Sequence, residues 1–122
     1  MRILLVEDEF LVGFPTKALL ERAGHEVLLA MTGEEAMAAL HSWHPEAVLM
    51  DLRLGAESGL ELTRRMVAEA GVAVWALTAA RGCEQEAEDA GARGVLYKPI
   101  EIRQIERALA GAISGAPWAG GR

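Results

Sequence analysis

Five short runs free of charged residues, Ile3 to Val6, Val27 to Ala30, Ala47 to Met50, Val72 to Leu77 and Val95 to Tyr97, limit most sharply what this chain can fold into. Each is strand-length and apolar at successive positions rather than alternate ones, the pattern of a β-strand buried on both faces. Amphipathic segments separate them, so strand and helix alternate through five cycles. That order predicts an α/β domain with a parallel sheet covered on both sides. Composition agrees: 52% of residues are hydrophobic but only 5% aromatic, an aliphatic excess that such sheets require. With 122 residues there is room for one core and one domain, read here as residues 1–113. Residues 114–122, rich in Gly, Ala, Ser and Pro, are expected to form a flexible tail.

The helices carry their own signals. Thr32 with Glu35 and Ser58 with Glu61 have the spacing of capping boxes. Beyond Gly59, the residues Leu60, Thr63, Met66, Val67 and Ala70 share one face, as do Ile102, Ile105, Leu109 and Ile113 in the last helix. The first helix, near Phe10 to Ala23, contains Pro15, which cannot donate to the Leu11 carbonyl and is expected to distort the early turns. The fourth, near Glu84 to Ala90, offers only Cys83, Ala87 and Ala90 as an apolar seam and is expected to be loosely held.

A net charge of -6 without clustered Lys and Arg argues against direct nucleic-acid binding. No apolar run is long enough to cross a bilayer and no signal segment is recognisable, so the expected compartment is the cytoplasm. The single cysteine, Cys83, permits no internal disulfide and has no evident base beside it; it reads as a packing residue. His25, His41 and His44 lack metal-ligand spacing and read as solvated or loop residues.

The unusual polar residues fall where apolar runs end. Glu7 and Asp8 follow the first, Asp51 the third, Thr78 the fourth and Lys98-Pro99 the fifth. Doubly wound sheets bind ligands beyond the carboxyl ends of their strands. If the first and third strands are neighbours, three carboxylates converge, repel one another and invite a hard, oxygen-seeking cation. Glu9 is read as a helix start. Asp51 has no such explanation, because no helix begins until Ser58. Lys98 is placed to bridge a carboxylate and a phosphoryl oxygen, and the Thr78 hydroxyl to bond one.

The blocks Ile3-Leu4-Leu5-Val6-Glu7-Asp8-Glu9, Val48-Leu49-Met50-Asp51-Leu52-Arg53-Leu54, Ala76-Leu77-Thr78-Ala79 and Tyr97-Lys98-Pro99 resemble, in order and spacing, the signature blocks of bacterial response-regulator receiver domains. The resemblance implies a flavodoxin-like, doubly wound five-stranded sheet of order 2-1-3-4-5 with five helices. It implies that Asp51 is the phosphoacceptor, assisted by Thr78 and Lys98. Mg2+, or another divalent cation such as Mn2+, would be held by Glu7, Asp8, Asp51 and the backbone carbonyl of Arg53. Such a domain is a phosphoacceptor rather than an enzyme, although it assists its own phosphorylation and slow dephosphorylation. Its partners would be a sensor histidine kinase or histidine phosphotransfer protein upstream and a protein target downstream, with no nucleic acid or membrane. The family's output surface would here be acidic on Glu84, Glu86, Glu88 and Asp89 and mixed on Arg103, Glu106 and Arg107.

Some positions depart from the family. Val95 stands where many members carry an aromatic residue on the fifth strand; Tyr97 shares that face but lies closer to Lys98. Gly55 replaces a common proline and is expected to loosen the loop after Asp51. Arg53 and Ala80 occupy the positions that tune phosphoryl lifetime. Two alternatives stay open: a receiver-like interaction module that is not phosphorylated, and a flavodoxin-like cofactor binder. The second is disfavoured by Glu7-Asp8-Glu9, where a phosphate-binding loop would be needed.

Overall fold

The computed structural model describes the backbone of residues 1–114 and side chains through residue 111. Strand β1 (Arg2–Val6) leads to α1 (Phe10–Arg22), β2 (Glu26–Ala30) to α2 (Gly33–Trp43), and β3 (Ala47–Asp51) to a small hairpin of β4 (Arg53–Leu54) and β5 (Glu57–Ser58). Then come α3 (Gly59–Ala70), β6 (Ala73–Thr78), α4 (Glu84–Asp89), β7 (Gly94–Tyr97) and α5 (Ile102–Ser114). The expectations for the Ile113 side chain and for the tail beyond Ser114 fall outside the described residues.

The five longer strands form one parallel sheet in the order β2-β1-β3-β6-β7. Leaving the hairpin strands out of the count, this is the doubly wound order 2-1-3-4-5. Strand alternation explains why the runs are apolar throughout. Ile3, Leu5, Leu49, Trp75 and Leu96 pack against Leu20 of α1 and Ile105, Ala108 and Leu109 of α5. Leu4, Val6, Val48, Met50 and Val74 point the other way, onto Ala36 and Leu40 of α2 and Leu62 and Met66 of α3. The inner strands β1, β3 and β6 are therefore covered twice, and a polar residue at either parity would be stranded in the core, whereas edge strand β2 leaves Glu26 and Leu28 exposed.

The third layer segment is thinner. Ala87 of α4 packs on Ala76, Ala92 and Val95, with Cys83 and Tyr97 at the margin. These small residues remove little apolar area from water, as the sequence anticipates.

Caps are built where the sequence places them, with one difference. The Thr32 hydroxyl accepts the Glu35 amide and Ser58 that of Glu61. The returning arm differs: Glu35 reaches the Met31 amide, one residue before the cap, and Glu61 pairs with Arg64 instead. Pro15 does not interrupt α1, which runs unbroken to Arg22. The proline sits on the exposed side, and the Thr16 hydroxyl bonds the Val12 carbonyl nearby.

Two local features add to the expectations. The loop after Asp51 carries ladder pairing, Arg53 with Ser58 and Leu54 with Glu57, and Gly55 turns it at φ +57. Glycine here provides the left-handed turn that closes the hairpin. His25 is a loop residue, between α1 and β2, but a half-buried and bonded one, with Nδ1 on the N-terminal amine at 3.2 Å and Nε2 on Glu106 at 2.8 Å. Glu106 is thereby engaged rather than free on the α5 surface. His41 pairs with Glu69, and His44 caps α2 in the left-handed region.

Candidate functional site

The strand order reverses at the junction of β1 and β3, whose carboxyl ends open into a shared crevice. β3 ends on Asp51 and β6 on Thr78, so both are the last residues of their strands, held by the ladder. Glu7 extends β1 by one bond, donating its amide to the Ala30 carbonyl at 3.0 Å, and Lys98 extends β7 through the Thr78 carbonyl at 2.8 Å. Four of the candidate positions are thus fixed by backbone.

One carboxylate oxygen from each of Glu7, Asp8 and Asp51 lies within 4.8 Å of the other two. Glu7 and Asp51 are buried, 1% and 4% exposed, whereas Asp8 is partly open. The Lys98 Nζ donates to Glu7 Oε2 at 2.9 Å and to Asp51 Oδ2 at 3.3 Å. Asp51 Oδ1 accepts the Arg53 amide at 3.0 Å, and Glu7 Oε1 the Glu9 amide at 3.3 Å. Glu9 is the residue before α1, as the sequence suggests, but its side chain makes no cap bond.

The Gly59 amide bonds the Leu52 carbonyl, which makes Arg53 and Ser58 the non-hydrogen-bonded pair of the hairpin. The Arg53 amide is therefore available to Asp51, and its carbonyl lies outside the ladder. Thr78 is buried beside the site, its hydroxyl accepting the Ala80 amide at 3.0 Å. Tyr97 carries the Arg81 guanidinium over its ring at 4.8 Å.

One lysine against three carboxylates leaves the cluster short of positive charge. Burial, followed by the adjacent Asp51 carboxylate, pushes the Glu7 carboxyl up to about 7 despite Lys98. Burial works to lower the pKa of Lys98, but Glu7 and Asp51 together outweigh it and raise the ammonium above its ordinary range. The lysine stays charged. All the carboxylate donors are hard oxygens, a set that fits Mg2+ or Mn2+ and would relieve the repulsion Glu7 now meets.

Stability should respond to pH accordingly. A carboxyl raised from 4.5 to about 7 on folding binds a proton more tightly in the native state than in the unfolded one. Stability of the metal-free protein is therefore expected to fall as pH rises between those values, by about 3 kcal/mol in all. Saturating Mg2+ should flatten the dependence. Urea denaturation across that range, with and without the cation, measures both; a metal-free stability that rises with pH would contradict the assignment.

Sequence reasoning missed three features of this site. It did not foresee the hairpin, for which two-residue strands leave almost no pattern. It missed Gly59, on which a Cβ would lie 2.4 Å from the Asp51 carbonyl oxygen and 2.6 Å from Leu52 Cα. Its position, directly after the Ser58 cap and beside the Asp51 block, was the available signal. It also missed Glu57, whose carboxylate accepts the Gly33 amide at 2.7 Å.

A doubly wound sheet with three carboxylates and a lysine gathered beyond its strand ends is the arrangement of an acidic-pocket α/β signalling domain. The chain belongs to the response regulator receiver domain family of two-component systems, whose pattern it matches over residues 3–110. It is 28% identical over 119 residues to PilH of Pseudomonas aeruginosa, covering 93% of this chain and 98% of that protein. It is 34% identical over 108 residues to the virulence transcriptional regulatory protein PhoP of Salmonella typhimurium, covering 86% of this chain but only 48% of PhoP. The chain thus spans nearly all of PilH and about half of PhoP. Among solved structures, the signal receiver domain of a modulated diguanylate cyclase from Desulfovibrio desulfuricans is 30% identical, with a TM-score of 0.84, and covers 93% of this chain and 94% of that one. A two-component response regulator from Clostridium difficile, 18% identical with a TM-score of 0.88 and covering 93% and 96% of the two chains, shares the fold.

Proposed function

We propose that the chain accepts a phosphoryl group from a phosphohistidine onto Asp51 and thereby switches its binding to a downstream protein. The observation that carries this reading is the buried Asp51 carboxylate, held at one oxygen by the Arg53 amide and at the other by Lys98, with two further carboxylates beside it. Glu7, Asp8, Asp51 and the Arg53 carbonyl would hold Mg2+ or Mn2+, which supplies charge neutralisation for the transferring phosphoryl oxygens.

Attack by an Asp51 oxygen forms an O–P bond as the N–P bond of the phosphohistidine breaks, and the imidazole leaves with the electron pair. Lys98 is the compact cation that follows the charge from carboxylate to phosphoryl oxygen. Thr78, whose hydroxyl accepts the nearby Ala80 amide, turns to donate to a phosphoryl oxygen. The chain acts as a phosphoacceptor and not as an enzyme on a separate substrate. The test is chemical: with Mg2+ and a small phosphodonor such as acetyl phosphate, intact mass should rise by one phosphoryl, and a chelator should prevent it. An unmodified protein under these conditions would favour the non-phosphorylated interaction module.

The upstream partner, a sensor histidine kinase or histidine phosphotransfer protein, must cover the mouth of the pocket, and α1 starts two residues after Asp8. Phe10, Leu11 and Phe14 are 52%, 87% and 54% exposed, and the two phenylalanine rings stack at 5.2 Å. A patch of this kind on a small domain marks a contact surface. Leu11→Glu is therefore expected to slow transfer from a phosphohistidine protein about tenfold while leaving acetyl phosphate uptake unchanged. Equal rates from the protein donor would place the contact elsewhere.

A further inference from the structure

The hairpin after Asp51 touches the acidic pocket twice. Its first strand supplies the Arg53 amide to Asp51 Oδ1, and its turn lies against Asp8, where a Cβ on Gly55 would sit 3.4 Å from Oδ2. Two of the three carboxylates are thus bordered by the six residues 53–58, which contribute only two ladder pairs of their own. Such a hairpin is too short to hold itself in place. Leu54 pins its first strand, being 3% exposed in the core shared with Leu40 and Leu62, and the second strand needs a hold of its own.

For the second strand the structure supplies Glu57. Glu57, paired with Leu54 in the hairpin, extends its carboxylate to the N-terminus of α2 and accepts the Gly33 amide at 2.7 Å. Gly33 is the first residue of α2, and the Thr32 hydroxyl serves the Glu35 amide, so the Gly33 amide is one of the donors that a helix start leaves unsatisfied. The bond is charge-assisted and lies at the positive end of the helix dipole. It also depends on glycine: a Cβ at residue 33 would fall 2.8 Å from Glu57 Oε2 and push the carboxylate away. Glu57 and Gly33 therefore form a matched pair, 24 residues apart, joining the hairpin to the opposite side of the crevice.

We infer that Glu57 is a positioning residue for the acidic pocket: through the Gly33 amide it anchors the hairpin that orients Asp51 and presents the Arg53 carbonyl. This rests on the reading of Glu7, Asp8 and Asp51 as a divalent-cation site and assigns that site a support that does not itself touch the cation. Groups that orient metal ligands from behind commonly affect affinity about as strongly as tenfold to a hundredfold.

The experiment is Mg2+ titration by calorimetry on the full chain, alongside thermal denaturation. Glu57→Ala is expected to weaken Mg2+ binding about tenfold, and Glu57→Gln, which keeps an acceptor oxygen, to restore most of it. Gly33→Ala keeps every charge in place and favours the helix, so it should leave the melting temperature unchanged or higher. It should nonetheless weaken Mg2+ to the same degree as Glu57→Ala. Hydrogen exchange at the Arg53 amide should quicken in both weakened variants. Affinity unchanged in Glu57→Ala or in Gly33→Ala would overturn the inference, as would an equal loss in Glu57→Gln, which would reduce the role of Glu57 to its charge. A wild-type protein that binds no Mg2+ would instead remove the cation-site reading and the inference with it.

Discussion

Asp51→Asn is expected to abolish phosphoryl uptake completely, while the folded protein persists. Asparagine has the same size, and its carbonyl oxygen still accepts the Arg53 amide that now binds Oδ1 at 3.0 Å. What it loses is the anionic oxygen. A neutral amide is not a nucleophile toward phosphorus, and its NH2 would face the Lys98 ammonium, which now bonds Oδ2 at 3.3 Å. With Mg2+ and acetyl phosphate, the wild type should gain one phosphoryl by intact mass and Asp51→Asn none. Continued modification of the variant would move the nucleophile to another residue, and Asp8, the more open of the neighbouring carboxylates, would be the first to examine. Lys98→Ala should retain the nucleophile but suffer twice, because Glu7 and Asp51 are both buried and would lose their only cationic partner among the described residues.

Much of this site can be read directly from the chain because its residues sit at strand ends. A run such as Ala47 to Met50 must be a doubly buried strand, and the residue that ends it must emerge at the crevice. Asp51 was legible for that reason, and so were Glu7, Asp8, Thr78 and Lys98. The strand order follows from the resemblance, because apolar runs alone do not say which neighbour each one pairs with. Features that depend on approach between distant segments left less trace. Nothing in Glu57 distinguishes it from a solvated glutamate until α2 is seen to present its first amide 2.7 Å away. Likewise, His25 has no motif, yet folding brings it against Glu106, 81 residues distant. Gly55, read from sequence only as a loosening residue, also supplies the turn of a two-pair hairpin that the sequence did not announce.

The fourth helix shows the opposite case, where weak sequence signal and sparse packing coincide. Only Ala87 of the helix itself is buried, supported by Ala90 and Ala92, and Val95 fills the position from which an aromatic side chain would swing. Val95 cannot sweep out the volume of a rotating ring. On the proposed reading a response cannot use ring rotation at residue 95, and the segment between Thr78 and Glu84 is where Thr78 is tied, through its hydroxyl, to the Ala80 amide. Rotation of the Thr78 side chain releases that bond and frees the Ala80 amide, and the small residues packed around α4 offer little apolar burial to resist a shift of the segment that follows.

Gly59→Ala is the substitution expected to cost the most stability for the least change in composition. By helix propensity alone alanine would be favoured at the start of α3 by about 1 kcal/mol, and the backbone there is not in the left-handed region that demands glycine. The obstacle is proximity. The added methyl would meet the Asp51 carbonyl oxygen at 2.4 Å and Leu52 Cα at 2.6 Å, and these are backbone atoms that cannot rotate aside. Relief requires α3 to move away from the end of β3, breaking the bond from the Gly59 amide to the Leu52 carbonyl that closes the hairpin. It would also tilt the peptide that carries Asp51. A loss of about 3 kcal/mol is expected, measured by urea denaturation against wild type, together with slowed phosphorylation under conditions where the variant remains folded. If Gly59→Ala were instead as stable as the wild type, α3 would have to tolerate displacement at its first residue. The close approach of α3 to β3 would then not be what holds Asp51 in position.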